Sequence, residues 1–289
     1  MIDSICNVIT TTSIDQITSK YLIVEEISTG RFSKIYRVIE KFSNIERAIK
    51  IVSKTCIPSI TALSAECKAL QRLNHPNIIK PIELLESNTL IGLVLELCNG
   101  RTLSEVLMVE GPFSEHKTVE IMTSLFSAVV CCHKAKICHL DLKLEKFIYA
   151  TKNPKSEIKV LGFGESLDFS PEVVFHDIRG TFCYMAPEVL EGNYNEKADC
   201  WSLGIIMYLL LTKSFPYTGK NNNEIYMSIQ QGHIPFSHYL QNISPSAQNF
   251  LSRLLVRDLN LRLSAEEALN HEWIQEYYLI NRQLGLLSL

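Results

Sequence analysis

The sequence of 289 residues has no strong excess of either charge sign and no long apolar run. Its 28 Lys and Arg residues stand against 31 Asp and Glu residues, a formal net charge of −3. This balance provides no basic field, so it does not favour nucleic acid as a partner. The longest apolar stretch, around Leu203–Leu211, is too short for a helix that crosses a bilayer. We therefore expect neither a nucleic-acid partner nor a membrane span.

A disulfide framework and targeting signals are lacking as well. The nine Cys residues are scattered and form no C-x-x-C pair, which is typical of reduced thiols packed as small apolar residues inside a cell. No basic residue precedes an apolar run in Met1–Ser19, and Ile2 occupies the position where N-myristoylation requires glycine. These absences predict a cytoplasmic protein without a secretory signal or an acyl anchor.

The first third of the chain predicts a small antiparallel sheet with one helix. Residues 1–20 show no clear period and are interpreted as an extension that either packs on the domain or stays mobile. Between the third and fourth predicted strands, Ser64–Leu73 has a helical period. The strand-like runs are Tyr21–Val24, Ile35–Ile39, Arg47–Val52, Ile78–Leu85 and Leu90–Leu97.

Helical patterns dominate after Asn99-Gly100. Ser114 is predicted to cap a long helix that ends near Lys134, and Ser264 stands three residues before Glu267, the spacing of a capping box. The other predicted helices are Glu196–Leu211, Glu224–Gln231, Pro245–Leu255 and Ser264–Ile274. Strands followed by helices predict an α+β fold or two subdomains.

Two motifs carry the chemistry of this sequence. His139-Leu140-Asp141-Leu142-Lys143-Leu144-Glu145-Lys146 and Gly162-Phe163-Gly164 resemble the catalytic loop and the metal-binding triplet of protein kinases. The resemblance implies a two-lobed protein kinase fold of the α+β class. Its N-lobe would be a small antiparallel sheet with one main helix, and its C-lobe would be larger and mostly helical. The domains implied are an extension at 1–20, a kinase domain at 21–274 (N-lobe 21–97, C-lobe 101–274) and a tail at 275–289.

Phrases in the second half resemble one branch of that family, the calcium-dependent protein kinases. These are Asn195–Asp199, Phe215–Gly219 and Ser264–Trp273. No D-x-D-x-D-G loop of an EF-hand occurs, and only sixteen residues follow Trp273. Direct calcium binding is therefore not expected. A protein substrate or protein partner is implied by the family.

The resemblance also assigns a set of candidate ATP-binding residues. Only Gly30 remains of the glycines that cover phosphates in kinases, since Ser28 and Ser33 replace the outer two. Lys50 matches the strand-borne Lys that contacts the phosphates, and Glu66 matches its ion-pair partner. The remaining candidates line the adenine end, where Leu95 would be the gatekeeper and the hinge would bind through its backbone. They are Ile27, Ile35, Ala48, Leu95, Glu96 and Cys98.

The candidate catalytic residues are Asp141, Lys143 and Thr181. Asp141 matches the base that accepts the proton of the substrate hydroxyl, Lys143 matches the residue that steadies the phosphoryl group, and Thr181 would bond both. Leu140 replaces the Arg that pairs with a phosphorylated activation loop in other members, so loop phosphorylation is expected to matter little. Similarly, Arg262 matches the residue that pairs with Glu188.

Two substitutions remove the side chains that hold Mg²⁺ in an active kinase. Lys146 replaces an Asn and Gly162 replaces an Asp, although Mg²⁺ requires hard oxygen ligands. Mg²⁺ binding is therefore expected to be weak or absent, while ATP binding stays open because the Lys146 charge could neutralise phosphate directly. Two hypotheses follow: a catalytically impaired pseudokinase that acts through protein contacts, or an active Ser/Thr kinase with atypical or metal-independent chemistry.

A separate cluster of Cys and His residues suggests a zinc site as an alternative. It would use the cluster Cys131, Cys132, His133, Cys138 and His139. Neighbours in one helix cannot all face one ion, and the kinase pattern already accounts for both histidines. Core packing is the interpretation that we favour for this cluster.

Overall fold

The structure is a computed structural model that describes residues 11–13, 17–30, 33–170, 175–234, 240 and 243–283. Two compact units are formed. The first contains the described residues up to Gly100 together with Ile148–Ser166, and the second contains Arg101–Phe147 with the described residues from Leu167 onward.

A mixed sheet of six strands forms the first unit. In space the strands follow the order β1-β5-β6-β4-β3-β2, and every pair is antiparallel except β1 with β5, which is parallel. The strands are β1 (Thr11–Ser13), β2 (Tyr21–Thr29), β3 (Ser33–Glu40), β4 (Ile45–Ser53), β5 (Pro81–Glu86) and β6 (Leu90–Glu96). The predicted antiparallel meander is confirmed for β2, β3 and β4. Part of the predicted N-terminal extension is ordered secondary structure, since β1 is followed by a short helix, α1 (Ile17–Lys20).

The core of this sheet consists of alternate residues on one face. Val38, Ile49 and Val94 are fully buried, and Tyr21 and Leu85 join them in one cluster. Because successive side chains of a strand point to opposite faces, this cluster fixes the register of each strand.

The single long helix of this unit, α2 (Ile57–Arg72), begins seven residues before the predicted start at Ser64. Pro58 lies in its first turn, where a missing backbone N–H costs no hydrogen bond. The helix buries Leu63, Glu66 and Leu70. The prediction missed the first turns because the apolar period of the helix is clear only in its second half.

The predicted start of the fourth strand at Ile78 is wrong. Residues 77–79 pair with a different segment, β9 (Ile158–Val160), because Ile78 forms a parallel bridge with Val160 and the Asn77 side chain donates to the Ile158 carbonyl. The sheet strand β5 begins only at Pro81. β9 also pairs with β8 (Phe147–Tyr149).

Helices make up most of the second unit. They are α3 (Leu103–Glu110), α4 (Glu115–Lys134), α5 (Pro187–Glu191), α6 (Lys197–Thr212), α7 (Asn222–Gln231), α8 (Pro245–Leu254), α9 (Ala265–Leu269) and α10 (Glu272–Gln283). Two short strands, β7 (Ile137–Cys138) and β10 (Leu167–Asp168), pair with each other. The predicted Ser114 cap and long helix to Lys134 are confirmed. α6 is buried on every side from Ala198 to Thr212, so it forms the core around which this unit packs.

The last predicted helix, Ser264–Ile274, is two helices. The capping box of Ser264 and Glu267 is present, as predicted, but α9 ends at Leu269. His271 Nδ1 accepts the backbone N–H of Trp273, and α10 begins at Glu272. A side chain that satisfies a free N–H of a new helix lets the chain change direction there. Among the described residues, no helix combines the length and apolarity that a membrane crossing requires.

Candidate active site

Lys50 and Glu66 form a partly buried ion pair in the first unit. Lys50 Nζ lies 2.5 Å from Oε2 of Glu66, whose residue is only 2% exposed. The β4 register aligns Lys50 with Leu93 of β6 and with Ile35 of β3, so the sheet fixes the Lys stem while α2 fixes the carboxylate. A charge held this way is ready to contact an anion without first losing side-chain freedom.

Other candidates of the first unit lie on β2, β4 and β6 and in the turn between β2 and β3. Ala48 and Leu95 are Cα partners in the β4–β6 ladder, and both are buried. Gly30 donates its N–H to the Ser33 carbonyl at 2.8 Å and closes the turn between β2 and β3. Ile27 is 47% exposed on β2, at the edge of the sheet. The loop residues Arg31 and Phe32 are outside the described part of the chain.

In the second unit, three candidate catalytic side chains contact one another. Thr181 Oγ1 donates to Asp141 Oδ1 at 2.8 Å and accepts from Lys143 Nζ at 2.7 Å. Lys143 Nζ is also 3.3 Å from Asp141 Oδ2. The structure therefore brings together the residues that the kinase resemblance implies, although their catalytic role remains a prediction.

Lys146 joins this cluster from the 3₁₀ turn Leu144–Lys146. Its Nζ lies 3.4 Å from Asp141 Oδ2, so Asp141 contacts two ammonium groups and one hydroxyl. Burial raises the pKa of the Asp141 carboxyl, but the charge of Lys146, the Thr181 hydrogen bond and the charge of Lys143 together bring the pKa below its usual value. Asp141 is thus held as a carboxylate whose affinity for a further proton is low.

The backbone of the catalytic loop is fixed by Asp199 of α6. Its carboxylate accepts the N–H groups of His139 and Leu140, each at 2.9 Å. Leu140 has a positive φ of 64°. Gly180 approaches the Leu140 carbonyl so closely that a Cβ would lie 2.3 Å from the oxygen. The loop conformation therefore depends on this glycine and on the buried carboxylate.

The second unit contains a buried ion pair between Arg262 and Glu188. Arg262 is 1% exposed and contacts both carboxylate oxygens of Glu188, with Nη2 donating to Oε2 at 2.9 Å. This is the pair that the resemblance implied. Bidentate Arg–carboxylate contacts fix geometry as well as charge.

A family model described as "Protein kinase domain" matches residues 21–274. The chain belongs to the protein kinase family. The predicted two-lobed α+β kinase fold is confirmed by this match, with the antiparallel strands and main helix in the first unit and the helical content in the second.

Calcium-dependent protein kinases are among the relatives of this kinase domain. Calcium-dependent protein kinase 5 of Plasmodium falciparum (isolate 3D7) is 34% identical over 265 residues, which cover 90% of this chain and 47% of that protein. Calcium-dependent protein kinase 3 of Plasmodium yoelii yoelii is 34% identical over 254 residues, 87% of this chain and 47% of that protein. Calcium-dependent protein kinase 10 of Oryza sativa subsp. japonica is 32% identical over 266 residues, 90% of this chain and 44% of that protein. The predicted resemblance is confirmed, and the chain spans about half the length of these relatives.

The residues at the two metal-binding positions of the family do not fit Mg²⁺. Lys146 presents an ammonium that is engaged with Asp141. Gly162 has no side chain and adopts a left-handed conformation with φ 77° and ψ 59°. Mg²⁺ needs oxygen ligands close to octahedral geometry, and neither residue supplies one from its side chain.

The two predicted hinge residues, Glu96 and Cys98, differ in their contacts. Glu96 is engaged inside the unit, since its carboxylate accepts the Lys80 N–H at 2.8 Å and lies 3.4 Å from Lys159 Nζ. In contrast, the backbone N–H of Cys98 makes no hydrogen bond within the described residues. Burial and the nearby Glu96 raise the pKa of the Cys98 thiol to about 12, so it stays protonated and unreactive.

Contacts that the sequence did not predict hold the activation segment. The Phe175 N–H donates to the Tyr194 carbonyl, and the Tyr194 hydroxyl donates to the Asp177 carbonyl at 2.6 Å. His176 Nδ1 lies 2.7 Å from the Gly192 carbonyl. No short motif marks these residues, because each bond joins backbone to a residue more than fifteen positions away. These contacts tie residues 175–177 to the segment that follows α5.

The five residues of the zinc alternative, which we did not favour, do not come together as one set. Of its five residues, His133 and Cys138 come within ligand distance of each other, and the third member of that group is Asp199. His133 Nε2 is 3.0 Å from Asp199 Oδ2, and the Cys138 thiol donates to the same oxygen at 3.4 Å. Burial and Asp199 hold the pKa of the Cys138 thiol well above its usual value, so without a metal the thiol is protonated.

Proposed function

We propose that this chain is a catalytically impaired protein kinase domain, a pseudokinase, which binds ATP and acts through contacts with other proteins. The observation that carries the proposal is the 3.4 Å contact between Lys146 Nζ and Asp141 Oδ2. It places a cation on the residue that would accept a proton, at a position where the family has a metal ligand.

Two consequences of this contact disfavour phosphotransfer. A base with a lowered pKa takes up the substrate proton poorly, since general-base efficiency follows basicity. Loss of metal polarisation also removes several kcal/mol of transition-state stabilisation. Because each ~1.4 kcal/mol is a factor of ten, the rate would fall by roughly three orders of magnitude or more.

ATP binding is supported by residues that the impairment leaves intact. Lys50 is held by Glu66 and would contact the phosphates, while the N–H of Cys98 would donate to the adenine ring. ATP supplies the phosphoryl group that kinases transfer. Ser28 and Ser33 would make the covering loop less close-fitting than glycines do, without closing the site. We further propose that Lys146 neutralises phosphate charge and makes nucleotide binding independent of divalent metal.

A second candidate function is an active Ser/Thr protein kinase with atypical or metal-independent chemistry. Its support is the complete set of contacts among Asp141, Lys143 and Thr181. The relatives are named as calcium-dependent protein kinases, but the chain covers less than half of their length, so activity and substrate stay proposals here. For either candidate function, we also propose a protein partner or substrate, a cytoplasmic location and no direct calcium binding.

The first test is a thermal shift of the purified protein with ATP in EDTA, and then with Mg²⁺ or Mn²⁺. A ligand that binds only the folded state raises the melting temperature by mass action. We expect a rise with ATP in EDTA that metal does not increase, and no rise in a Lys50→Met variant. A rise that requires metal would favour the active kinase, and no rise at millimolar ATP would contradict ATP binding.

A phosphotransfer assay separates the two candidates. Incorporation of labelled phosphate into a generic Ser/Thr substrate should equal that of an Asp141→Asn variant if the domain is a pseudokinase. Activity in EDTA that Asp141→Asn abolishes would support the second candidate instead.

A further inference from the structure

A segment outside the kinase family match pairs with the sheet. The match begins at Tyr21, but β1 runs parallel to β5 with the Cα partners Thr11–Leu84, Thr12–Leu85 and Ser13–Glu86. β1 is therefore the outermost strand on that side of the sheet, and β5 has a neighbour on both of its edges.

Lys20 fastens the other end of this segment to the same strand. Its Nζ donates to both carboxylate oxygens of Glu83 on β5, at 2.8 and 2.9 Å. Glu83 is only 4% exposed and also accepts the hydroxyl of Tyr21. The Lys20 carbonyl accepts the N–H of Lys41 at 2.9 Å, so the residue is fixed by backbone and by charge.

These two contacts have different physical reasons. An edge strand presents a row of unpaired N–H and C=O groups, and an added strand satisfies them. A buried carboxylate is costly without a counter-charge, so Glu83 favours any conformation that keeps Lys20 beside it. Strand β5 is therefore contacted twice by the N-terminal segment. β1 pairs with its backbone, and Lys20 forms an ion pair with its residue Glu83.

We propose that β1 and α1 act together as an N-terminal strap, in which Thr11–Ser13 occupy a strand-addition site on β5 and the Lys20–Glu83 ion pair is the lock. The occupant of the site is this chain's own segment. Release of the lock would open the edge of β5 to another extended segment. The proposal is independent of ATP binding and of catalysis.

Cysteine cross-linking in the full-length chain tests which segment occupies the edge. Ser13→Cys with Glu86→Cys places thiols on Cα partners of neighbouring strands. Mild oxidation should join the two introduced thiols in a disulfide within the monomer, which peptide mass mapping distinguishes from bonds to the native Cys residues. A matched control, Ser13→Cys with Ser87→Cys, moves one thiol by a position and should cross-link at least tenfold less. A disulfide found only in dimers, or equal yields from both pairs, would overturn the proposal.

Hydrogen exchange tests the strap and its lock without new cross-links. Thr12→Pro removes a strand N–H, whereas Thr12→Ala keeps the backbone intact. We expect Thr12→Pro to speed exchange at least tenfold at those amides of residues 82–86 that point toward β1, with no change in β3 and none from Thr12→Ala. Lys20→Met should produce the same local acceleration, and Lys20→Arg should restore protection. Unchanged exchange in both Thr12→Pro and Lys20→Met would show that the segment does not cover β5.

Discussion

The Lys146 ammonium lies 3.4 Å from Oδ2 of Asp141, on the same oxygen that Lys143 contacts at 3.3 Å. Two cations therefore share one carboxylate at the position of the family's catalytic base. Both Lys side chains are partly exposed, so their charges are available to an anion as well as to Asp141. Under the proposed function, this arrangement would disfavour Mg²⁺ binding and proton transfer and would favour the binding of phosphate.

Restoring the two metal ligands should restore metal dependence. In a Lys146→Asn, Gly162→Asp double variant, we expect ATP to bind more tightly with Mg²⁺ than in EDTA, and phosphotransfer to rise at least tenfold. Asp is among the non-glycine residues that tolerate the left-handed conformation of Gly162. Isothermal titration and a radiolabel assay measure the two effects.

The matched control is Lys146→Asn with Gly162→Asn. This variant has nearly the same shape but lacks the carboxylate at position 162. It should bind ATP without the metal response. If the double variant with Asp gains no phosphotransfer, then metal ligation was not what the domain lacks.

Removing the Lys146 charge should raise the pKa of Asp141. In Lys146→Gln, burial would be opposed only by Thr181, Lys143 and His139, so the carboxyl should titrate closer to, or above, its ordinary value of 3.8. Carbon-13 NMR of labelled Asp carboxyls, assigned with Asp141→Asn, measures the change. A titration curve of Asp141 that is unchanged in Lys146→Gln would contradict the contact.

The same variant makes a prediction about stability and pH. A folded pKa below the unfolded value means that the folded state binds fewer protons, so the stabilisation is complete above about pH 4 and is lost as pH falls through the folded pKa. Lys146→Gln should therefore cost about 1 kcal/mol of unfolding free energy at pH 7, and less below pH 4. Urea denaturation of the parent and the variant at pH 7 and below pH 4 measures this difference. An equal loss of unfolding free energy at the two pH values would show that Asp141 is not the group that Lys146 stabilises.

The Lys50–Glu66 pair should be strongly coupled. Lys50→Met leaves the buried Glu66 carboxylate without its counter-charge and should cost about 3 kcal/mol of unfolding free energy. The double variant Lys50→Met, Glu66→Leu should be more stable than the sum of the single losses predicts. Urea denaturation of the four proteins of this cycle measures the coupling.

An exposed pair provides the control for that cycle. Lys34 and Glu26 form a 3.0 Å ion pair on the surface of the sheet, and Lys34→Met should leave the denaturation midpoint nearly unchanged. Additive losses at Lys50 and Glu66 would mean that the observed pair does not stabilise the fold.

His271 should make the second unit sensitive to mild acid. Its Nδ1 accepts the Trp273 N–H and its Nε2 lies 3.0 Å from Asn249 Oδ1, a pattern that suits the neutral ring. Burial, assisted by Arg253 and opposed by Glu272, lowers the pKa of His271 below 6.5. The unfolded state then binds more protons, so this contribution to stability is present above pH 6.5 and is lost as pH falls through the folded pKa.

The melting temperature should therefore fall less between pH 7 and pH 5 in His271→Gln than in the parent protein. The exposed His233 gives the matched variant, His233→Gln, which should keep the parent's acid sensitivity. If both variants show the same fall, His271 is not the group that responds.

Local patterns in the sequence predicted most of the regular structure correctly. The Ser114 cap and the capping box of Ser264 were visible because capping depends on residues within one helical turn. The start of α2 and the break after Leu269 were missed. Both depend on weak local preferences, namely Pro58 in a first turn and a His271 side chain that caps the next helix.

In the candidate site, too, some contacts were predicted from the sequence and one was not. The motif positions predicted that Lys50 pairs with Glu66, Asp141 with Thr181, and Glu188 with Arg262, and these contacts are present. The contact of Lys146 with Asp141 was not predicted, since the sequence suggested a free charge for phosphate. A long flexible side chain takes its direction from the groups around it, and these are known only once the loop is folded.

The sequence by itself determined the kinase family and the loss of both metal-binding side chains. Both features depend only on which residue occupies a motif position. The absence of a carboxylate at Gly162 and the charge of Lys146 are therefore known without a structure. Only the tertiary structure decided that Lys146 pairs with Asp141, and that Lys20 meets the buried Glu83, 63 residues away. Contacts of this kind depend on burial and on distances between remote segments, which a one-dimensional pattern does not contain.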